Sequence, residues 1–300
     1  MKVDVTHPDR LVFPDVGVTK GDVVDYYRRV ARWMLPLIKD RPLTVQRFPR
    51  GVGARATHGS GKGFVQQDFS RSGAPGWLRT VKVPRLSGGS VEHAVADRPE
   101  ALAWLANQGA ITLHMWTARW TDLTHPDLVV FDLDPAEDGF AVVRDTALAA
   151  RDLLSTIGLR PYVQVTGSRG VHVVAPIKTG PTFDEVRDFA RGIGERLAHD
   201  DATHRTVAVR KADRRGRLYI DVMRNGYAQT AVAPYSVRAR PNASVATPIT
   251  WEELGDDRVR PDGFTLLTIL DRLADHGDPW SGMRRHAASF GAASKRFAGL

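Results

Sequence analysis

Cysteine is missing from all 300 residues, so neither a disulfide nor a Cys-ligated zinc can hold this fold together. Long apolar runs are missing as well, and the start, Met1-Lys2-Val3-Asp4, lacks the pattern of a secretory signal. No internal repeat is evident. A soluble cytoplasmic protein without a membrane partner is therefore expected. What is present is enough for a substantial core, with 42% of residues hydrophobic, built as one large domain or two subdomains. A formal charge of +8 makes a polyanionic partner plausible, nucleic acid before membrane.

The most informative stretch is Val129-Val-Phe-Asp-Leu-Asp-Pro135. Its bulky apolar residues, bounded by turn signals, predict a buried strand. Alternation along a strand puts Asp132 and Asp134 on one face. Carboxylates so close repel unless a proton or a cation neutralises them, and hard oxygen donors suit Mg²⁺ or Mn²⁺. The plainer alternative is a strand end whose aspartates are solvated and cap the next turn.

Elsewhere, residues 7–18 read as irregular, punctuated by two prolines. Thr19 and Asp22 form a capping-box pattern ahead of a helix whose apolar positions run from Val23 to Leu37. Lys20 lies in its first turn, where a cation opposes the helix dipole unless it shares an anion with the free N–H groups. A solvated surface lysine is the other reading. Arg41–Pro49 predicts a strand carrying Arg47, followed by a mobile basic loop from Arg50 to Gly63 with Phe64 beyond it, a stacking platform or a core residue. A strand over Ile111–Trp116 sets His114 opposite in face to Leu113 and Met115. Helices are expected over about 140–157 and 182–199.

Between those helices, two strands flank Gly167-Ser-Arg-Gly170 as a hairpin, bringing Thr166 and His172 close together with Arg169 at the tip. Strands over Val207–Lys211 and Arg217–Met223 bracket a basic turn, and the second places Asp221 among apolar neighbours, where it needs a partner. Arg224 and Arg238 follow. A final helix is expected from Asp262 to about Ala274, then a loosely held basic tail.

Taken in order, His114, Phe-Asp-Leu-Asp-Pro135, Thr-Gly-Ser-Arg-Gly-Val-His172, Tyr-Ile-Asp221 with Arg224-Asn225, and Ala-Pro-Tyr-Ser-Val-Arg238 form a set. It resembles the polymerase domain of bacterial DNA ligase D, in the archaeo-eukaryotic primase superfamily, from about His7 to Leu270. The resemblance implies an α/β fold, an RRM-like antiparallel sheet merged with an N-terminal α/β part. It implies a single domain over 1–300, with a DNA-binding part to about 110, a catalytic core to about 245 and a C-terminal helix and tail. The implied activity is template-dependent addition of nucleotides to 3′ ends, with a preference for ribonucleotides and with primase activity included. Implied cofactors are two Mn²⁺ or Mg²⁺ ions, with NTP or dNTP as substrate.

By the same resemblance Asp132, Asp134 and Asp221 hold the metals, while Thr166, Arg169, His172, Arg224 and Arg238 contact the triphosphate. His114 lies near the sugar or metal, and Arg47 lines the cleft. Lys20 grips a DNA 5′-phosphate and Phe64 stacks on template. The partners implied are gapped or broken DNA ends, Ku and a DNA ligase, for a nucleoid-associated monomer acting in gap filling and end joining.

Three departures stand out. Thr166 replaces a serine. Gly63-Phe64-Val65-Gln66 keeps one aromatic of a pair and has Gln66 in place of a lysine, and Ala54–Lys62 is an insertion. Lys211-Ala-Asp-Arg214 lacks the glycine of a ligase nucleotidyl-lysine motif, so a free-standing polymerase or one domain of a longer protein is expected. Two rivals remain. Phe-Asp-Leu-Asp also resembles the nucleophile motif of haloacid-dehalogenase-like phosphatases, although Pro135-Ala136 follows it here. The other is a catalytically inactive nucleic-acid-binding module, against which all three carboxylates argue.

Overall fold

The computed structural model describes residues 3–53, 63–136 and 139–300. They form two compact units, each assembled from separated segments. The first contains the chain up to Trp116, Val232–Thr247 and Phe264–Asp278; the second contains Thr117–Ala231, Pro248–Gly263 and Pro279–Leu300. Among the described residues no helix is long and apolar enough to cross a membrane.

In the first unit, helix Lys20–Ile38 starts at Thr19, whose hydroxyl accepts from Asp22 N while the Asp22 side chain accepts from Thr19 N. That reciprocal cap satisfies two donors a helix start leaves open. Its apolar stripe, including Val23, Tyr26, Tyr27, Val30 and Met34, is buried and packs on helix Pro99–Asn107. Burying the two tyrosines is tolerable because each hydroxyl finds a carbonyl, Tyr26 that of Tyr235 at 2.7 Å and Tyr27 that of Ile111 at 2.6 Å. Strands Ala110–Trp116, Leu43–Arg47, Ser90–Ala94 and Thr80–Pro84 lie side by side in that order, with Phe64–Gln66 also on Leu43–Arg47.

In the second unit the chain runs strand Leu128–Asp134, helix Phe140–Thr156, strands Tyr162–Val165 and Val171–Pro176, helix Phe183–Asp200 and strand Leu218–Asp221. This is the split β-α-β pattern repeated, β-α-β-β-α-β. In space the order is Leu218–Asp221, Leu128–Asp134, Val171–Pro176, Tyr162–Val165, antiparallel throughout these pairs. The first helical residue of the pattern that matters is Gly194: an added Cβ there would lie 3.3–3.5 Å from Val222 and Ile220 side chains. Helix Phe183–Asp200 thus covers the face that carries Ile220, leaving the alternate residues, Asp221 among them, on the other.

Several expectations need correction. The stretch 7–18 is not wholly irregular: Leu11–Phe13 pairs with Val18–Thr19 across a 3-10 turn opened by Pro14. Gly51–Val52 is anchored there, Val52 N donating to Val12 O at 2.7 Å, so the predicted mobile loop does not begin at Arg50; the rest of it, Ala54–Lys62, lies outside the described residues. The run 207–211 is not a strand. Arg205–Thr206 is, and Lys211–Arg214 is a helical turn. The helix expected from Asp262 begins only at Ile269 and runs to His276, because Thr265 bridges to Ser244, with Val245 N donating to Phe264 O and Leu266 N to Ala243 O. Nor is the C-terminus loose. Phe290–Phe297 is helical, and Phe290 and Phe297 set their rings against Phe189 at 5.2 and 5.9 Å. Sequence patterning missed this because small residues and cations separate the two anchoring aromatics.

Candidate active site

Four polar residues form a row across the second unit's sheet. Its register sets Gln164 opposite His172, His172 opposite Asp132 and Asp132 opposite Asp221. Opposed residues on paired strands share a face, and Asp134, two positions past Asp132, joins them. The row is buried, Gln164 at 1% exposure, His172 at 3%, Asp132 at 6% and Asp221 at 8%. The hairpin pattern predicts Thr166 close to His172. The direct partner is Gln164, and a polar residue inside Tyr162-Val-Gln-Val165 was the available signal.

Charge explains how the row is tolerated. His172 Nε2 stands 3.3 Å from Asp132 Oδ1. Arg224 Nε donates to Asp132 Oδ2 at 3.1 Å, and its Nη2 lies 3.5 Å from Asp221 Oδ2. Burial pushes the Asp132 carboxyl up, but the imidazole and the guanidinium outweigh it and hold Asp132 below the usual carboxylate range. Asp134 moves the other way: burial, then the charge of Asp132, raise it. Burial lowers Arg224, and the carboxylates of Asp132 and Asp221 more than reverse that. Asp221 also accepts from Met223 N at 2.8 Å and from the Tyr219 hydroxyl at 3.3 Å. Its apolar surroundings are thus answered within the chain.

The turn bearing Arg224, Met223–Asn225, is pinned by its neighbour. Asn225 is fully buried, donates to Val130 O at 2.7 Å and accepts from Val130 N at 2.8 Å. That amide mimics a strand partner, so the guanidinium is delivered to the carboxylates by a fixed backbone.

Among the described residues no three His, Asp or Glu side chains already stand as a ligating cluster. The donor chemistry nonetheless fits a hard divalent cation. Three carboxylates share one sheet face, and a guanidinium stands between two of them, marking where positive charge is required.

At the hairpin tip, Thr166 N and Oγ1 both donate to Gly170 O, each at 3.0 Å. Gly170 is held tightly: a Cβ there would lie 2.1 Å from Leu133 O. Arg169 is exposed and, with Ser168, lines a cavity of about 330 Å³ together with Phe140, Arg144, Arg260 and Asp262. It is not drawn onto the carboxylate row.

The first unit carries the other candidates. Lys20 is not a solvated lysine. It is 4% exposed, its Nζ donating to Thr6 O at 2.6 Å and Thr6 Oγ1 at 2.7 Å. It lines a cavity of about 180 Å³ with Arg10, Arg47 and Asn107. Arg10, which no sequence motif marks, is a further cation there beside Lys20 and Arg47. Arg47 donates to Gln108 O at 2.8 Å and to Gln66 Oε1 at 2.9 Å, and its guanidinium carbon is 5.4 Å from the Phe64 ring. Gln66, standing where a lysine was expected, thus accepts a hydrogen bond from an arginine already in place. Phe64 is 48% exposed and is no core residue. It lines an open groove with Arg71 and Arg85. His114 sits on strand Ala110–Trp116 opposite Thr44, and Arg238 N donates to Ser244 O at 2.7 Å.

The fold is that of a nucleic-acid polymerase domain. It superposes on the polymerase domain from Mycobacterium tuberculosis ligase D, solved in complex with DNA, with a TM-score of 0.86 and 31% identity, covering 95% of this chain and 99% of that one. A family model, the LigD primase-polymerase domain, matches residues 19–280, and the chain belongs to that family. The multifunctional non-homologous end joining protein LigD of Mycolicibacterium smegmatis is 32% identical over 281 residues, 92% of this chain and 35% of the relative. Its Pseudomonas aeruginosa counterpart is 31% identical over 299 residues, 98% of this chain and 34% of the relative. The chain therefore spans about a third of the length of these relatives.

Proposed function

We propose that this chain is a template-dependent nucleotidyltransferase that adds nucleotides, ribonucleotides by preference, to the 3′ end of a DNA strand at gaps and breaks, with primase activity alongside. The observation that carries the proposal is the pairing of Asp132 with Asp221 across adjacent strands, Asp134 sharing their face, in a chain of the LigD primase-polymerase family. Those three carboxylates would hold two Mn²⁺ or Mg²⁺ ions. Bound there, such ions would neutralise the triphosphate and favour in-line attack by the 3′-hydroxyl.

The protein's own task is then positioning. Arg224 balances Asp132 and Asp221, and with Thr166, Arg169 and His172 on the second unit it offers donors for phosphate oxygens. Arg47, His114 and Arg238, on the first unit, are assigned to the nucleotide by resemblance. Phe64 offers an exposed face for a template base, and Lys20 with Arg10 a basic pocket for a 5′-phosphate. Relatives named for non-homologous end joining and a structural neighbour solved with DNA support a repair role; Ku and a ligase as partners and a monomer as the working form are carried over from the resemblance alone.

A phosphatase is disfavoured because the family model over residues 19–280 and the matching solved structure are both polymerase domains. Incubation with a gapped primer-template, NTP and Mn²⁺ is expected to extend the primer, with no release from para-nitrophenyl phosphate. Asp132→Ala, Asp134→Ala and Asp221→Ala should each abolish extension while leaving a cooperative melt. Extension by any of the three would remove the metal-site assignment; no extension by wild type would leave a binding module.

A further inference from the structure

Gln164 has no part in the function proposed above, yet it is the most deeply buried member of the row, in a strand otherwise apolar. A carboxamide in such a place costs free energy unless it is hydrogen-bonded. Its Nε2 stands 3.2 Å from His172 Nδ1. On the far side of the ring, His172 Nε2 stands 3.3 Å from Asp132 Oδ1. The imidazole therefore has a buried partner at each nitrogen, and all three residues sit in register on adjacent strands.

Donor and acceptor chemistry restricts the ring. An ionised carboxylate can only accept, so Asp132 calls for a proton on His172 Nε2. In the neutral ring Nδ1 is then a bare lone pair, and an amide N–H of Gln164 is the donor that meets it. The opposite tautomer would set the Nε2 lone pair against a carboxylate. A half-turn of the ring about Cβ–Cγ would put carbon atoms where both partners need nitrogen.

We propose that Gln164 is a positioning residue, which locks His172 in the Nε2–H tautomer and in one ring orientation so that its donor faces the carboxylates and the incoming nucleotide. Only the final clause rests on His172 contacting nucleotide; the tautomer does not. A structural filler of the same size would make no such demand on the ring. The carboxamide matters because it can donate.

The test uses the full chain, metal-free, with ¹⁵N-labelled histidine at about pH 8.5, above the ordinary histidine range. His172 is picked out from the 10 histidines by its absence in His172→Ala. Wild type should show a protonated Nε2 and a bare Nδ1. Gln164→Met keeps length but removes the donor, and should mix the tautomers. It should also raise KM for NTP about fivefold, the equivalent of one net hydrogen bond, with affinity for gapped DNA unchanged. Gln164→Glu offers only an acceptor, and should place a proton on Nδ1, the nitrogen that wild type leaves bare. A wild-type ring protonated at Nδ1 alone, or a Gln164→Met ring and KM both unchanged, overturns the proposal. Where the Met variant melts too early to measure, an unchanged ring in Gln164→Glu overturns it instead. If His172→Ala leaves KM for NTP unchanged while Gln164→Met alters the tautomer, positioning stands and the nucleotide contact of His172 falls.

Discussion

At the scale of single residues, the two carboxylates of the Asp-Leu-Asp stretch are pushed in opposite directions by neighbours only the fold supplies. Asp132 gains His172 and Arg224; Asp134 gains burial and the charge of Asp132. A raised folded value means that Asp134 favours folding when protonated, a contribution complete below about pH 4 and lost as pH rises through the raised value. Asp134→Asn should therefore stabilise the metal-free protein at pH 7.5 by about 1 kcal/mol, with little gain at pH 4.5. Melts in chelator at the two pH values check this; equal shifts would show that Asp134 is not strained by its neighbours.

The proposed role of Lys20 has its own pH signature. Burial, then Arg10, lower its ammonium to about 8. Between there and the ordinary lysine value the unfolded chain holds the extra proton, so this group makes stability rise with pH across that window. Binding behaves oppositely. Preference for a 5′-phosphate over a 5′-hydroxyl at a gap should hold at pH 7 and fall above about pH 8, by at most about tenfold per pH unit for one linked proton. Lys20→Met should show little preference at any pH. Matched duplex titrations at pH 7, 8 and 9 decide it, and a flat wild-type profile would remove Lys20 from end recognition.

Among elements, the hairpin 162–176 is the one most exposed to small changes. Its tip is anchored where Gly170 passes Leu133 O so closely that a single methyl group does not fit. Because the opposing atoms, on Leu133 and Asp134, are all backbone, the hairpin must lift away from strand Leu128–Asp134. Gly170→Ala is expected to cost about 1–3 kcal/mol, the range for overpacking, and to raise KM for nucleotide by displacing Thr166 and Arg169. DNA affinity should change little. Thermal melts and primer extension with varied NTP give both readings; a Gly170→Ala protein with wild-type stability would mean the tip relaxes freely.

For the whole molecule, the charge of +8 sets a long-range attraction that no single site owns. Affinity for gapped DNA should fall steeply with salt, log K against log [salt] having a slope of about −0.9 per phosphate neutralised. Arg71→Ala and Arg85→Ala, both lining the groove beside Phe64, should each lessen that slope by about one. Phe64→Ala should weaken binding at every salt concentration and leave the slope alone, since stacking releases no counterion. Fluorescence anisotropy from low to moderate salt separates the two classes. An arginine variant with an unchanged slope would place that side chain off the DNA path.

Much of this protein is determined locally and is therefore legible in sequence. Thr19 and Asp22 cap the first long helix because the cap spans four residues. The hairpin follows from Gly167 and Gly170, and Asp132 and Asp134 share a face because strand alternation admits nothing else. The ordered motifs carried the family as well. Register between distant strands is another matter. Which residue stands opposite His172 depends on pairing across Gly167–Gly170, and a one-residue slip would have exchanged Gln164 for an apolar neighbour. That Arg224 meets Asp132, 92 positions earlier, required the fold. So did the burial of Lys20 against Thr6 and the docking of Phe290 and Phe297 on Phe189. Those are contacts between segments far apart in sequence, and their energies come from burial and charge that exist only once the chain has closed.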